Sequence, residues 1–304
     1  MALYTLLNFE DIVQLTGRFG ITPCSSHPLA GGVENTSYAV TARQGDFVLT
    51  ILEKRDLASA ELYSRYLRSL MANRIPVPRA LACGNNRYVT EFAGKPVILL
   101  EYIRGAQHDP LPAEYLSGVG ATLAKLHISA VDCPLKPYIR FCEDDLAVAS
   151  TFKDEIFGAW LIRWYQEVAE VVASDYACVA THGDPFPDNV IVAGDGQIFL
   201  IDWEDGARDS FLVDLGMAVL GLCCVNGFDP ARLNCLLAGY RSLNAAQFRS
   251  HDLLRWTIYV ALFTAYNRYR KQGASVPVVQ DKRSYLNVPP LIESVVQGWG
   301  KVIA

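Results

Sequence analysis

Between His182 and Asp202 the chain sets out a loop, a strand, a turn, a strand and a carboxylate, and no other run constrains the fold so tightly. The loop is His182-Gly183-Asp184-Pro185-Phe186-Pro187-Asp188-Asn189. Strands are expected at 190–192 and 198–202, around the turn Ala193-Gly194-Asp195-Gly196. Asn189 and Asp202 flank the two strands of one hairpin, so their side chains can converge although they are well separated in sequence. Pro185 and Pro187 stiffen the loop that carries Asp184. On either side the pattern turns helical, at 113–129, 153–174, 211–224 and 252–271, so the hairpin is an island in a helical region.

The first hundred residues read differently. A short helix is expected over 8–19, with Asn8 as cap and Glu10 and Asp11 in its first turn. Strands follow at 37–42 and 47–52, joined by Arg43-Gln44-Gly45-Asp46. A helix over 57–73 places Leu62, Tyr66, Leu70 and Met71 on one face, and Ile75-Pro76-Val77-Pro78 stops it. Two more strands fall at 88–92 and 97–102. The expectation is an α+β fold in two lobes: a small β-rich lobe over 1–103, and a mostly helical lobe over 104–304 holding the hairpin. A cleft between lobes is where a ligand commonly sits.

Composition narrows the setting. With 51% hydrophobic and 19% charged residues the chain can bury a large core, and it has no low-complexity tract. A net charge of −5 argues against nucleic acid as the main partner. The first residues lack a basic region followed by an apolar run. The most apolar window, 211–225, contains Asp214 and is shorter than the roughly 18–20 residues of a membrane span. The eight cysteines lack a C-x-x-C spacing and read as reduced thiols, so a reducing cytoplasm is the expected location. Nothing in the sequence indicates an oligomeric state.

The residues of the hairpin suit phosphoryl transfer. That chemistry asks for a group that orients and deprotonates a hydroxyl, and for cations that hold the phosphates. Asp184 is the candidate base, and Asn189 and Asp202 are hard oxygen ligands suited to Mg²⁺. The spacing from 184 to 189 and on to 202 is that of kinase catalytic loops.

The run THGDPFPDN followed by IDWED resembles the aminoglycoside phosphotransferase and choline kinase family, whose fold is similar to that of protein kinases. The resemblance implies ATP and Mg²⁺ as cofactors, Asp184 as catalytic base, and Asn189 and Asp202 as metal ligands. Leu123-Ala124-Lys125-Leu126-His127 and Asp214-Leu215 match further family segments, and His127 and Asp214 are expected to brace the catalytic loop. In the small lobe, Gly31-Gly32-Val33-Glu34-Asn35-Thr36-Ser37-Tyr38 and 47–55 are similar to segments of type II homoserine kinases. This implies nucleotide contacts from Gly31, Gly32, Asn35 and Thr36. Thr50 stands where many family members carry a third-strand lysine. Lys54, two alternations further along, is the candidate replacement, with Glu61 as its partner. Backbone groups of Glu101 and Ile103, in the segment joining the lobes, are expected to bind adenine.

The acceptor is less constrained. After the hairpin the segment 201–206 departs from the homoserine kinase pattern and is closer to the generic family. Glu204 and Asp205 suit a cationic amine, and Arg268 suits a carboxylate. Trp160, Trp164 and Tyr165 read as core rather than as a cation–π box. The expected partner is a small molecule with a hydroxyl, homoserine before aminoglycosides, choline or other amino-alcohols. A kinase-fold binding or regulatory protein is the reading from another class. ATP and GTP are not distinguished by sequence.

Overall fold

The structure, a computed structural model, describes residues 5–29, 35–84, 86–137, 139–170, 176–245, 247–272 and 284–302. Gly31 and Gly32, and the end of the helix expected over 153–174, lie outside the described residues.

The chain opens with helix α1 (Phe9–Gly17). Asn8 and Asp11 form a reciprocal capping box, each side chain accepting from the other's backbone N–H at 2.9 Å. Strands β1 (Pro23–Pro28), β2 (Thr36–Ala42), β3 (Gly45–Ile51), β4 (Thr90–Phe92) and β5 (Lys95–Glu101) form an antiparallel sheet in the order β1-β2-β3-β5-β4. Between β3 and β4 runs helix α2 (Leu57–Ala72), whose N-cap Asp56 accepts from Ser59 N at 2.8 Å.

Period-two alternation divides the sheet's faces between two cores. Val97 and Leu99 of β5 join Leu49, Ile51, Tyr38 and the α1 residues Ile12 and Leu15 in a small core. Ile98, between them, faces the other way and joins α2. The buried face of α2 is Ala60, Tyr63, Tyr66, Leu67 and Leu70. Leu62, expected on that face, is 43% exposed. Tyr63 and Leu67 take its place because α2 packs into the large core, among Leu126, Leu200, Trp203 and Leu215. The small lobe expected over 1–103 therefore shares α2's core with the rest of the chain.

Past β5 come a short strand β6 (Gly105–Ala106) and helices α3 (Leu116–Ile128), α4 (Glu143–Ala149) and α5 (Glu155–Val168). Strand β7 (Cys178–Thr181) leads into the motif region, which holds the hairpin β8 (Val190–Ala193) and β9 (Ile198–Leu200), and β10 (Ala207–Ser210) leaves it. Helices α6 (Phe211–Leu222), α7 (Pro230–Leu243), α8 (Ser250–Gln272) and α9 (Val288–Gly298) complete the described chain. β7 pairs with β10, and β6 adds to β8, so the hairpin is part of a three-stranded sheet. Helices α3 and α7 approach so closely that a Cβ on Gly239 would stand 1.9 Å from the carbonyl oxygen of Ser117. Among the described residues no helix is long and apolar enough to cross a membrane. The aromatic run on α5 packs as core: Phe157 stacks on Trp160 at 5.7 Å, and Tyr165 lies edge-on to Phe141 at 5.2 Å. All eight cysteines are unbridged.

Candidate active site

The loop carrying Asp184 hangs from one buried carboxylate. Asp214, fully buried in the first turn of α6, accepts from His182 N and Gly183 N, both at 2.7 Å. His127 of α3 donates from Nε2 to the same carboxylate at 2.9 Å. Its Nδ1 accepts from the Tyr240 hydroxyl, also at 2.9 Å, and Asn244 Nδ2 donates to that hydroxyl. Each polar group of this buried network thereby finds a partner, which removal from water requires. The bracing role expected of His127 and Asp214 is what the geometry displays.

His182 closes the loop from the other side. Asp184 N donates to its Nδ1 at 3.2 Å, so the proton sits on Nε2, which donates to the Ile201 carbonyl at 2.9 Å. Burial holds the imidazole's pKa below its ordinary value, against the pull of Asp214, and keeps the ring neutral in this double role. Gly183 has φ +86°, and a Cβ there would stand 2.2 Å from the Asp205 carbonyl oxygen. Only glycine fits that crossing.

Asn189 ends a short 3-10 turn (Pro187–Asn189) and is tied to Asp184 itself. Its Nδ2 donates to the Asp184 carbonyl at 2.8 Å and to Asp184 Oδ2 at 2.9 Å. The amide oxygen is left to act as a ligand atom. Ile201 N donates to the Asn189 carbonyl at 3.0 Å, so the hairpin brings Asn189 beside the residue that precedes Asp202. Asp202 leaves the strand through a left-handed conformation, φ 59° and ψ 64°. Non-glycine residues hold that conformation at a cost, and such strain gathers at functional sites.

Acidic groups crowd this corner. Burial pushes the Asp184 carboxyl up to about 8, and Asp205, Asp188 and Asp202 add to the rise while Asn189 opposes it. Glu204 is pushed up to about 7 by burial and by Asp202, with Arg55 pulling the other way. Among the described residues no group of three or more His, Cys, Asp or Glu side chains is arranged to hold a metal ion by itself. One amide oxygen, one carboxylate and several repelling charges suit Mg²⁺, which takes few protein ligands and completes its shell from phosphates and water. The donor set fits the ion.

The other expected site residues fare unevenly. Lys54 does not extend β3: the strand ends at Ile51, and Lys54 is exposed in the turn that follows. Glu61, its expected partner, reaches Arg87 at 3.1 Å on the surface. The lysine that does meet a sheltered glutamate is Lys95, which pairs with Glu53 at 2.5 Å. Thr36 is buried and gives its hydroxyl to Glu53 at 2.6 Å. The Glu101 N–H donates to the Arg79 carbonyl at 2.8 Å, leaving the expected adenine contact to its own carbonyl and to Ile103. Glu204, expected to face the acceptor, turns its carboxylate to the small lobe: Oε1 accepts from Asn35 Nδ2, and Oε2 faces Arg55 Nε at 3.5 Å. Asp205 stays close enough to Asp184 to be the first of the charges that raise it. Arg268 lies half-buried on α8. Arg55 and Tyr66 were missed: Tyr66 donates to the Thr181 carbonyl at 2.7 Å, 115 residues away, and no local pattern signals such a contact.

The pattern of the phosphotransferase enzyme family matches residues 26–251. A homoserine kinase of Polaromonas naphthalenivorans is 25% identical over 267 residues, covering 84% of each chain. Another homoserine kinase, of Burkholderia cenocepacia, is 27% identical over 283 residues, covering 85% of each. Among solved structures, a spectinomycin phosphotransferase with ADP and spectinomycin superposes with TM-score 0.70 at 13% identity, covering 94% of both chains. A choline/ethanolamine kinase family protein of Mesorhizobium loti gives TM-score 0.64 at 22% identity, covering 90% of this chain and 88% of that one. These likenesses establish the two-lobed, kinase-like α+β fold.

Proposed function

The chain belongs to the phosphotransferase enzyme family, and from that premise we propose that it transfers the γ-phosphoryl group of ATP to a hydroxyl of a small amine-bearing molecule, homoserine first. One observation carries the reading: Asp184 is held at a fixed height by Asp214 and His182 and aligned by Asn189 at 2.9 Å. Such a carboxylate orients an incoming hydroxyl and takes its proton as the O–P bond forms. Mg²⁺ held by Asn189 and Asp202 would supply charge neutralisation at the phosphates and relieve the crowding around Asp184. The backbone at Asn35 and the hinge groups at Glu101 and Ile103 are the nucleotide contacts in this reading, and Lys95 rather than Lys54 is the paired lysine. A reducing cytoplasm is the proposed setting.

Homoserine rests on two supports: the small-lobe resemblance, and relatives of that name aligned along most of both chains. Its ammonium would fall to Asp205, since Glu204 is committed elsewhere, and its carboxylate to Arg268. Aminoglycosides and choline-type alcohols are the second reading, favoured by the neighbours in structure. ADP release measured against homoserine, choline, ethanolamine, hydroxylysine and aminoglycosides separates the readings. Homoserine is expected to give the highest kcat/KM, and turnover of another acceptor alone would replace it. Asp184→Ala should lower kcat by about 10²–10⁴ while the Kd for Mg·ATP stays nearly unchanged. Undiminished turnover would remove Asp184 as the base.

A further inference from the structure

Three segments remote in sequence meet at one carboxylate. Asn35, just ahead of β2, donates from Nδ2 to Glu204 Oε1. Arg55, just ahead of α2, sets its Nε 3.5 Å from Glu204 Oε2 and donates from Nη2 to the Glu204 carbonyl at 2.8 Å. Both partners are held from behind. Asn35 Oδ1 accepts from Glu53 N at 3.1 Å, and the Arg55 guanidinium lies 5.0 Å from the centre of the Tyr63 ring. The Arg55 and Glu204 side chains are only 19% and 17% exposed. A charge pair this sheltered is weakly screened, and removing one partner strands the other.

Glu204 stands two residues beyond Asp202, in the turn that the left-handed Asp202 begins. The same carboxylate thus ties the start of β2 and the start of α2 to the turn that carries the expected metal ligand. This carboxylate is poorly placed for an acceptor's ammonium: Oε1 already accepts from Asn35, and the guanidinium beside Oε2 repels a second cation. A nucleotide, by contrast, must be gripped from both lobes at once, and a fixed register between them removes ordering cost from its binding.

We propose that Glu204 is a positioning residue for the nucleotide: it brackets Asn35 and Arg55 against the Asp202 turn, so that Mg·ATP affinity, and not acceptor affinity, depends on it. The proposal rests on the reading of the cleft as an ATP site.

The test is a double-mutant cycle on the full chain with Glu204→Gln, Arg55→Ala and the pair combined. Glutamine keeps an oxygen for Asn35 and loses the charge. The Kd of a non-hydrolysable ATP analogue with Mg²⁺ is measured by calorimetry, and acceptor KM by ADP release. Each single variant is expected to weaken nucleotide binding by about tenfold, with acceptor KM changed by less than about twofold. The double variant should lose clearly less than the sum of the two singles, because the charge pair that both break is lost only once. Arg55→Lys should restore part of the loss. A raised acceptor KM with intact nucleotide affinity overturns the proposal. So do additive losses, and so does a loss confined to Arg55→Ala, which would make Arg55 a direct phosphate contact. Hydrogen exchange at the Glu53 amide, which Asn35 covers, is read without any ligand. Faster exchange in both singles supports the bracket and unchanged exchange overturns it, even if the parent protein binds no Mg·ATP and the ATP reading itself fails.

Discussion

Asp184 is costly to ionise where it stands. Its carboxyl titrates at about 8 in the folded chain, against an ordinary 3.8, so between those values the folded state keeps a proton that the unfolded state has released. The stabilising contribution is full below about pH 3.8 and is lost as pH rises through about 8. Asp184→Asn keeps the shape and removes the titration. In chelator-treated protein this variant should melt above the parent at pH 8, by at least about 2–4 °C, and the gap should close towards pH 4. Thermal melts across pH 4–9 measure it, and a gap independent of pH would mean that the charge is not what strains the site. At this scale the sequence was most readable for Asp184, Asn189 and Asp202, because a loop–hairpin–carboxylate order is local chemistry. It was least readable for Glu204 and Thr36. Their residue types allow many partners, and the ones they have come from tertiary packing: Arg55 lies 149 residues from Glu204, and Glu53 shares Thr36's neighbourhood only through the sheet.

Among the elements, α6 does the most to place the loop, through a single residue in its first turn. Asp214→Asn presents an N–H group to one of the backbone amides that now donate to it, and leaves that amide buried without an acceptor. The expected loss is about 3–5 kcal/mol of stability together with most of kcat, read from urea denaturation and from ADP release. Retention of both would show that the loop holds its shape without this anchor. Most helices were legible because their apolar period is long: those expected over 57–73 and 252–271 appear as Leu57–Ala72 and Ser250–Gln272. β1 was not recognised, since its residues Pro23–Pro28 are polar, mostly exposed and at a sheet edge, where burial imposes no alternation. α7 escaped as well, despite an Asp229 cap that accepts from Ala231 N and Arg232 N and a Pro230 in its first turn, because polar residues break up its apolar period. The face of α2 was misassigned at Leu62 for a different reason. Apolar residues alone do not reveal that a helix packs against a second lobe, and here Tyr63 and Leu67 turn towards it.

At the scale of the molecule, the lobes are joined by more than a hinge. α2 lies under the sheet yet its core belongs with the helical region, and the Arg65–Asp132 ion pair and the Tyr66–Thr181 bond fasten it there. A fragment cut at the expected boundary, 104–304, would lose Tyr63, Tyr66, Leu67 and Leu70 from its core. It should show a broad, weakly cooperative melt and bind an apolar dye, whereas 53–304 should melt with a sharper transition. Calorimetry of the two fragments decides, and equal cooperativity would show that α2 is dispensable to the large core. Because the two cores meet across one sheet, with Val97 and Leu99 facing the small core and Ile98 the large one, the whole chain is expected to unfold in one transition.

The same helix sets a timetable for the chain's synthesis. Tyr66 leaves the ribosome 115 residues before Thr181, the carbonyl that receives its hydroxyl. At ordinary translation rates the aromatic face of α2 therefore waits roughly 6–23 s for its partners. During that interval the nascent chain displays an apolar helix face of the kind that holdase chaperones bind, and slower translation lengthens the exposure. The lobe that is made first is finished last.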